Sequence, residues 1–142
     1  MVKAKELRIG NIVSFYKPLL NDPQQLIVQG IYENEDENQW YVESDVYSPI
    51  NEAGLLPISL TVEWLKKFGF EPAEESPGDN WYEIQLYRHT LQVCPATYPK
   101  LINIVDEHDQ AVMFTKTLNC EYVHQLQNLY HSLTGEELQL IK

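Results

Sequence analysis

The amino-acid sequence predicts an α+β fold: a small antiparallel, SH3-like β-barrel or curled sheet to about residue 60, then a short helix, an antiparallel sheet and a C-terminal helix. Three observations predict it. Short β-rich runs separated by polar turns occupy the N-terminal part. Two segments, "TVEWLKKFGF" and "YVHQLQNLYHSLTG", change to helical periodicity and carry start and stop signals. Between them, apolar runs with alternating character return. The 142 residues suit one compact domain, or two lobes sharing a core, 1–60 β-rich and 61–142 α+β. A hydrophobic fraction of 44%, with three Trp, nine Tyr and four Phe, is enough to build that core.

In "ELRIGNIVSFY" the pair Gly10-Asn11 marks a turn. Ile12, Ser14 and Tyr16 then alternate with Val13 and Phe15 as a half-buried strand. "NDPQQ" breaks that run, and "LIVQGIY" follows, its Gly30 suggesting a bulge or tight bend. "ENEDEN" is a charged turn, "QWYVES" the next strand, and "YSPINEAG" ends it. Thr61 is placed to N-cap a short helix with Glu63 in its first turn and Lys66 and Lys67 at the negative end of its dipole. Gly69 falls at C′, which makes Leu65 C3 and Phe70 C″, the apolar pair of a Schellman stop; Pro72 bars continuation.

"AEESPGDN" reads as a loop and a lobe boundary. A second antiparallel sheet of about four strands is expected from "WYEIQLYR", "TLQVCPA", "LINIV" and "AVMFTKTL", with "VDEHDQAV" as a hairpin turn. In the last helix Asn119 is the expected N-cap, with Glu121 in the first turn. Tyr122, Leu126, Leu129 and Leu133 form an apolar stripe that Val123 and Tyr130 widen. The opposite side carries His124, Gln125, Gln127, Asn128, His131 and Ser132, read as a solvated polar face with exposed imidazoles. Gly135 ends the helix, and the capping-box spacing of Thr134 and Glu137 suggests a short second helix over "TGEELQLI".

A net charge of −11 argues against gripping a phosphate backbone, which needs clustered Lys and Arg. Between Lys17 and Lys66 no basic residue occurs, while Asp22, Glu33, Glu35, Asp36, Glu37, Glu43, Asp45, Glu52 and Glu63 all fall there. Such a field repels nucleic acid and anionic lipid and attracts a basic partner; it also keeps a surface soluble. Cys94 and Cys120 lack CxxC or zinc spacing, and the N-terminus lacks an apolar signal core. No apolar run approaches the ~20 residues of a membrane span. A cytoplasmic protein with reduced, buried thiols is expected.

Chemistry-bearing patterns are sparse. His124 and His131, seven apart, lie on one helix side but about 10 Å from each other, too far to share a metal ion alone. Cys120 and His124 are four apart with no further ligand pair nearby, so neither a metal nor a cofactor is expected. Asp106, Glu107, His108 and Asp109 form the densest ionisable cluster and would be the centre of a metal-dependent hydrolase; their place in a hairpin tip, where charged residues are expected, favours reading them as turn residues. Cys94 has His89 close in sequence but across a turn, and GxSxG, HExxH, Walker A and GxGxxG motifs are absent. Trp40, Tyr41 and Tyr47 on a small barrel would suit a stacking or peptide-binding platform, for a single strand of nucleic acid or, more compatibly with the acids, a basic or Pro-rich peptide.

The stretches "ELRIGNIV", "PISLTVEWLKKFGF" and "YVHQLQNLYHSLTGEEL" together resemble a family of small proteins of Bacteroidetes and their phages and prophages. Val62 stands where that family commonly has an acid, and His131 where it has an aromatic or apolar residue. The resemblance implies a bacterial, phage-related cytoplasmic protein and supplies no activity. The sequence thus leads to a non-enzymatic acidic interaction or accessory protein with a basic protein partner, one version being an acidic mimic of nucleic acid. Its candidate contact residues are Trp40, Tyr41, His124, Gln127, Asn128 and His131.

Overall fold

The computed structural model describes residues 2–17, 19–73, 80–97, 100–106, 108, 111–115 and 120–141. Over these the protein is α+β, and every strand pairing is antiparallel. No helix among them is long and apolar enough to cross a membrane. Two compact units are formed, Met1–Ser59 with Tyr122–Asn128, and Leu60–Glu121 with Leu129–Lys142.

The first unit contains β1 (Ile12–Phe15), β2 (Gln24–Ile27), β3 (Gly30–Asn34), β4 (Gln39–Glu43), β5 (Ile50–Asn51) and β6 (Leu55–Leu56). They pair as two three-stranded sheets, β2-β1-β6 and β3-β4-β5, and the pairing does not close into a ring among the described residues. Consecutive amides mark the passage between the sheets: Val28 N–H donates to Asn11 O (2.8 Å) and Gln29 N–H to Glu43 O (2.9 Å). Gly30 follows at this bend, opposite Glu43. A Cβ on Gly30 would come within 2.7 Å of the Glu43 carboxylate, so the missing side chain is what lets Glu43 lie across it. Val13, Phe15, Leu26, Val28, Val42 and Leu55 form the buried cluster, with Tyr47 meeting Phe15 edge-on at 4.8 Å. The half-buried character expected for β1 does not hold, since all four of its residues are buried. On this strand Gln127 Oε1 accepts from the Ile12 N–H (2.8 Å) and the Ser14 hydroxyl donates to Leu56 O (3.2 Å).

In the second unit follow α1 (Val62–Lys67), β7 (Glu71–Pro72), β8 (Tyr82–Gln85), β9 (His89–Cys94), β10 (Leu101–Asp106) and β11 (Ala111–Thr115). The helix α2 (Val123–Thr134) gives its first half to the first unit and its second half to the second. The start and stop of α1 follow the sequence signals. Thr61 Oγ1 accepts from Trp64 N–H, and backbone bonding together with that hydroxyl holds the Glu63 carboxyl below its usual pKa. Phe70 N–H donates to Leu65 O (2.9 Å) and Gly69 N–H to Lys66 O (3.0 Å), the two bonds of a Schellman motif, with Gly69 at φ +87°.

The sheet runs β11-β10-β9-β8-β7, one strand more than expected. The extra strand is the two-residue edge β7, whose Pro72 belongs on an edge because it has no N–H to donate inward. Tyr82, Ile84, Leu91, Val93, Ile102 and Ile104 share one face by register. On the other, Asn103 Nδ2 donates to Gln92 Oε1 (2.9 Å) and Gln92 Nε2 to Glu83 (3.1 Å), a polar ladder across three strands.

The helix α2 starts later than expected. Asn119 lies outside the described residues, and Tyr122 takes the cap position, its N–H donating to Gln125 Oε1 (3.1 Å). Glu121 falls before the helix because its carboxylate is held by Lys100, through the backbone N–H (2.7 Å) and the ammonium (3.0 Å). No second helix forms over 135–141. The Thr134 hydroxyl donates back to Tyr130 O (2.8 Å) and so completes α2, and the chain beyond it is tied elsewhere, by Ile141 N–H to Lys67 O (2.8 Å) and by burial of Leu138.

Gly69→Ala is expected to lower stability by about 1–2 kcal/mol, because Ala must adopt left-handed backbone to keep both bonds of the stop. A shift of the urea midpoint at unchanged slope would show it; an unmoved midpoint would deny the motif its role.

Candidate functional site

The candidate residues on α2 divide sharply by environment. Val123 and Leu126 are buried as the stripe requires, yet His124 and Gln127 on the polar side are buried too, at 1% and 2% exposure. The expected solvated face is therefore absent from the first half of the helix. Its cause is the turn before β1: Gly10 N–H and Asn11 O bond Val28, while the Gly10 carbonyl and the Ile12 N–H are satisfied by a side chain. Gln127 supplies it with both ends of its amide: Oε1 accepts from Ile12 N–H (2.8 Å) and Nε2 donates to Gly10 O (3.0 Å). At the next residue, Asn128 Oδ1 accepts from Asn11 Nδ2 (2.9 Å) and Arg8 Nη1 (3.3 Å), while its Nδ2 donates to Glu6 O (2.8 Å). Asn11 in turn accepts from Arg8 N–H through Oδ1 (2.7 Å). Gln127 and Asn128 form a clasp on residues 6–12, which makes them structural elements of this unit.

His124 lies parallel to the Tyr122 ring, 5.9 Å between centroids. Neither ring nitrogen has a hydrogen-bond partner among the described residues. Burial depresses its pKa, against the weaker opposing pull of the Glu6 carboxylate. It is a neutral, stacked core side chain and not an exposed imidazole. His131, in the second unit, is half-buried on α2.

On β4, Trp40 and Tyr41 point to opposite sides, as neighbours on a strand must. Trp40 is half-buried with the Lys5 ammonium 5.8 Å from its ring centre, and Tyr47 belongs to the core edge against Phe15. The expected three-ring platform is therefore not assembled. Tyr41 instead stacks on Tyr32, its register partner on β3, at 5.6 Å and 14°. The Tyr41 hydroxyl donates to the Glu37 carboxylate, and that bond raises the phenol's pKa. Glu43, two residues along β4 and on the same side, lies over Gly30. The outer face of β3–β4 thus presents a stacked tyrosine pair flanked by two carboxylates. Tyr32 was missed because only the register, which no sequence periodicity reveals, brings it opposite Tyr41.

Glu107 and Asp109 of the acidic cluster lie outside the described residues. Asp106 Oδ1 accepts from His108 N–H (2.9 Å), the bond of an Asx turn. Among the described residues no three His, Cys, Asp or Glu side chains gather as a metal set. His89 and Cys94 begin and end β9, ~16 Å apart at strand spacing, so they form no dyad. Both cysteines are buried thiols, and desolvation pushes Cys120 up to about 12. No family model, curated protein or solved structure matches the chain.

Gln127→Leu leaves the buried Ile12 N–H and the half-buried Gly10 carbonyl without their side-chain partner and is expected to cost about 1–3 kcal/mol in chemical denaturation. A change within experimental error would show that the clasp is dispensable.

His124 adds a pH dependence whose sign is set by its lowered pKa. The unfolded chain takes up the proton near 6.5 and the folded chain only at lower pH. This contribution to stability is full above pH ~6.5 and shrinks as pH falls through the interval between the two values. The denaturation midpoint should fall from pH 7 to pH 5, and less steeply in His124→Phe; equal slopes in the two proteins would contradict it.

Proposed function

We propose that this protein is a non-enzymatic acidic interaction protein that binds a basic partner through the outer face of β3–β4. One observation carries the reading: the Tyr32–Tyr41 stack is flanked on its own side by Glu37 and Glu43. A Lys or Arg side chain laid on that face meets ring quadrupole and carboxylate together, each ring contact contributing about 0.5–1 kcal/mol at an exposed site. Around it Glu33, Glu35, Asp36 and Asp45 are exposed, which supports long-range steering of a cation toward the hairpin. Phosphate ligands would meet the same field with the wrong sign.

We read the first unit as a relative of the small SH3-like barrels. Two short antiparallel sheets share one core, and the chain bends from one sheet to the other at residues 28–30. Modules of that kind often take peptides on aromatic surfaces. The resemblance to small phage- and prophage-borne proteins supports an accessory role in the cytoplasm of a bacterial host. There, an acidic module would occupy a partner that otherwise meets nucleic acid.

A fluorescent Lys/Arg-rich peptide is expected to bind with an affinity that drops as salt rises. Tyr32→Ala should weaken it roughly threefold to fivefold, and the Glu37→Gln, Glu43→Gln double variant by a similar factor or more. Anisotropy titrations check this, with an acidic peptide of equal length as control. Affinity unchanged in both variants would overturn the assignment of the face.

A further inference from the structure

Within the second unit, a cleft of about 680 Å³ opens between the β8–β9 turn and the end of α2. That volume falls in the range of small-molecule sites. Buried Ile104 and half-buried Tyr130 line it, and so does Leu133, which belongs to the apolar stripe of α2 yet is 40% exposed. The cleft is where the stripe runs out of protein to cover it.

Two opposite charges line the same cleft, Arg88 and Glu136. They are not paired with each other, and among the described residues neither carries an ion pair. The Arg88 guanidinium lies 5.6 Å from the centre of the Tyr87 ring. A pure anion would suit Arg88 but meet Glu136 and the carbonyl end of α2, both negative. A pure cation would suit those and meet Arg88. An apolar ligand would leave both charges unused.

We propose that this cleft binds a free α-amino acid with a large apolar side chain. Its carboxylate pairs with Arg88, a geometry the planar guanidinium favours. Its ammonium faces Glu136 and the last carbonyls of α2, and its side chain covers Ile104, Tyr130 and Leu133. This function is separate from recognition of a basic partner by β3–β4.

The test uses the full, 15N-labelled chain titrated with L-phenylalanine, with its amide, which lacks the carboxylate, and with its N-acetyl derivative, which lacks the ammonium. Amide shifts are expected at residues 85–89 and 130–136, with L-phenylalanine binding several-fold more tightly than either analogue. Arg88→Gln should abolish the preference over the amide, and Glu136→Gln the preference over the N-acetyl compound. Both side chains are exposed, so the variants keep the wild-type spectrum outside the cleft. Leu133→Asn should weaken all three ligands. Absence of shifts up to the solubility limit, shifts confined to other residues, or equal binding of the three compounds to the wild type would overturn the proposal.

Discussion

Gln127 reaches from a helix near the C-terminus to the first strand, and its amide does there what a neighbouring strand would do. One end accepts from Ile12 N–H and the other donates to Gly10 O. Without it, the N–H that opens β1 would be buried unpaired, at about 1–3 kcal/mol. The rest of the first unit is arranged around this requirement. Asn128 and Asn11 extend the clasp to Arg8 and Glu6. β1 is buried on both sides, and His124 is carried inside with its neighbours although its ring nitrogens have no hydrogen-bond partner among the described residues. The clasp helps to hold its helix in place, together with the Val123 N–H bond to Ile58 O (2.9 Å) and the burial of Val123 and Leu126.

This constraint also relocates the functional question. Polar letters on a helix invite a reading as a contact surface, but here two of the most prominent are structural ties and a third is a neutral core ring. The face proposed for recognition is instead on β3–β4, where exposed carboxylates surround a tyrosine stack. Gly30 has a part in this, since a side chain at that position would displace Glu43 from beside the rings.

Local signals were well legible in the sequence. Thr61, Gly69 and Phe70 define α1 through contacts a few residues apart, and the β10–β11 pairing follows from two apolar runs around a polar turn. Contacts between distant parts of the chain were not. The partners of Gln127 lie more than a hundred residues away, and an amide bonding a backbone leaves no period or composition by which to find it. The tyrosine pair depends on register, and the adjacency of Trp40 and Tyr41 in sequence conceals that strand neighbours face opposite ways. Arg88 and Glu136 stood out in no motif, because what singles them out is a shared cleft and unpaired charge.

Residue-resolved amide hydrogen exchange, without and with a saturating Lys/Arg-rich peptide, tests the central claim most directly: that the polar side of α2 is internal and the outer face of β3–β4 is external and binding. The account predicts that Ile12 N–H is strongly protected in both states, and that the peptide adds protection within Tyr32–Glu43 and leaves Val123–Asn128 unchanged. Fast exchange at Ile12, or peptide-induced protection confined to the helix, would contradict it.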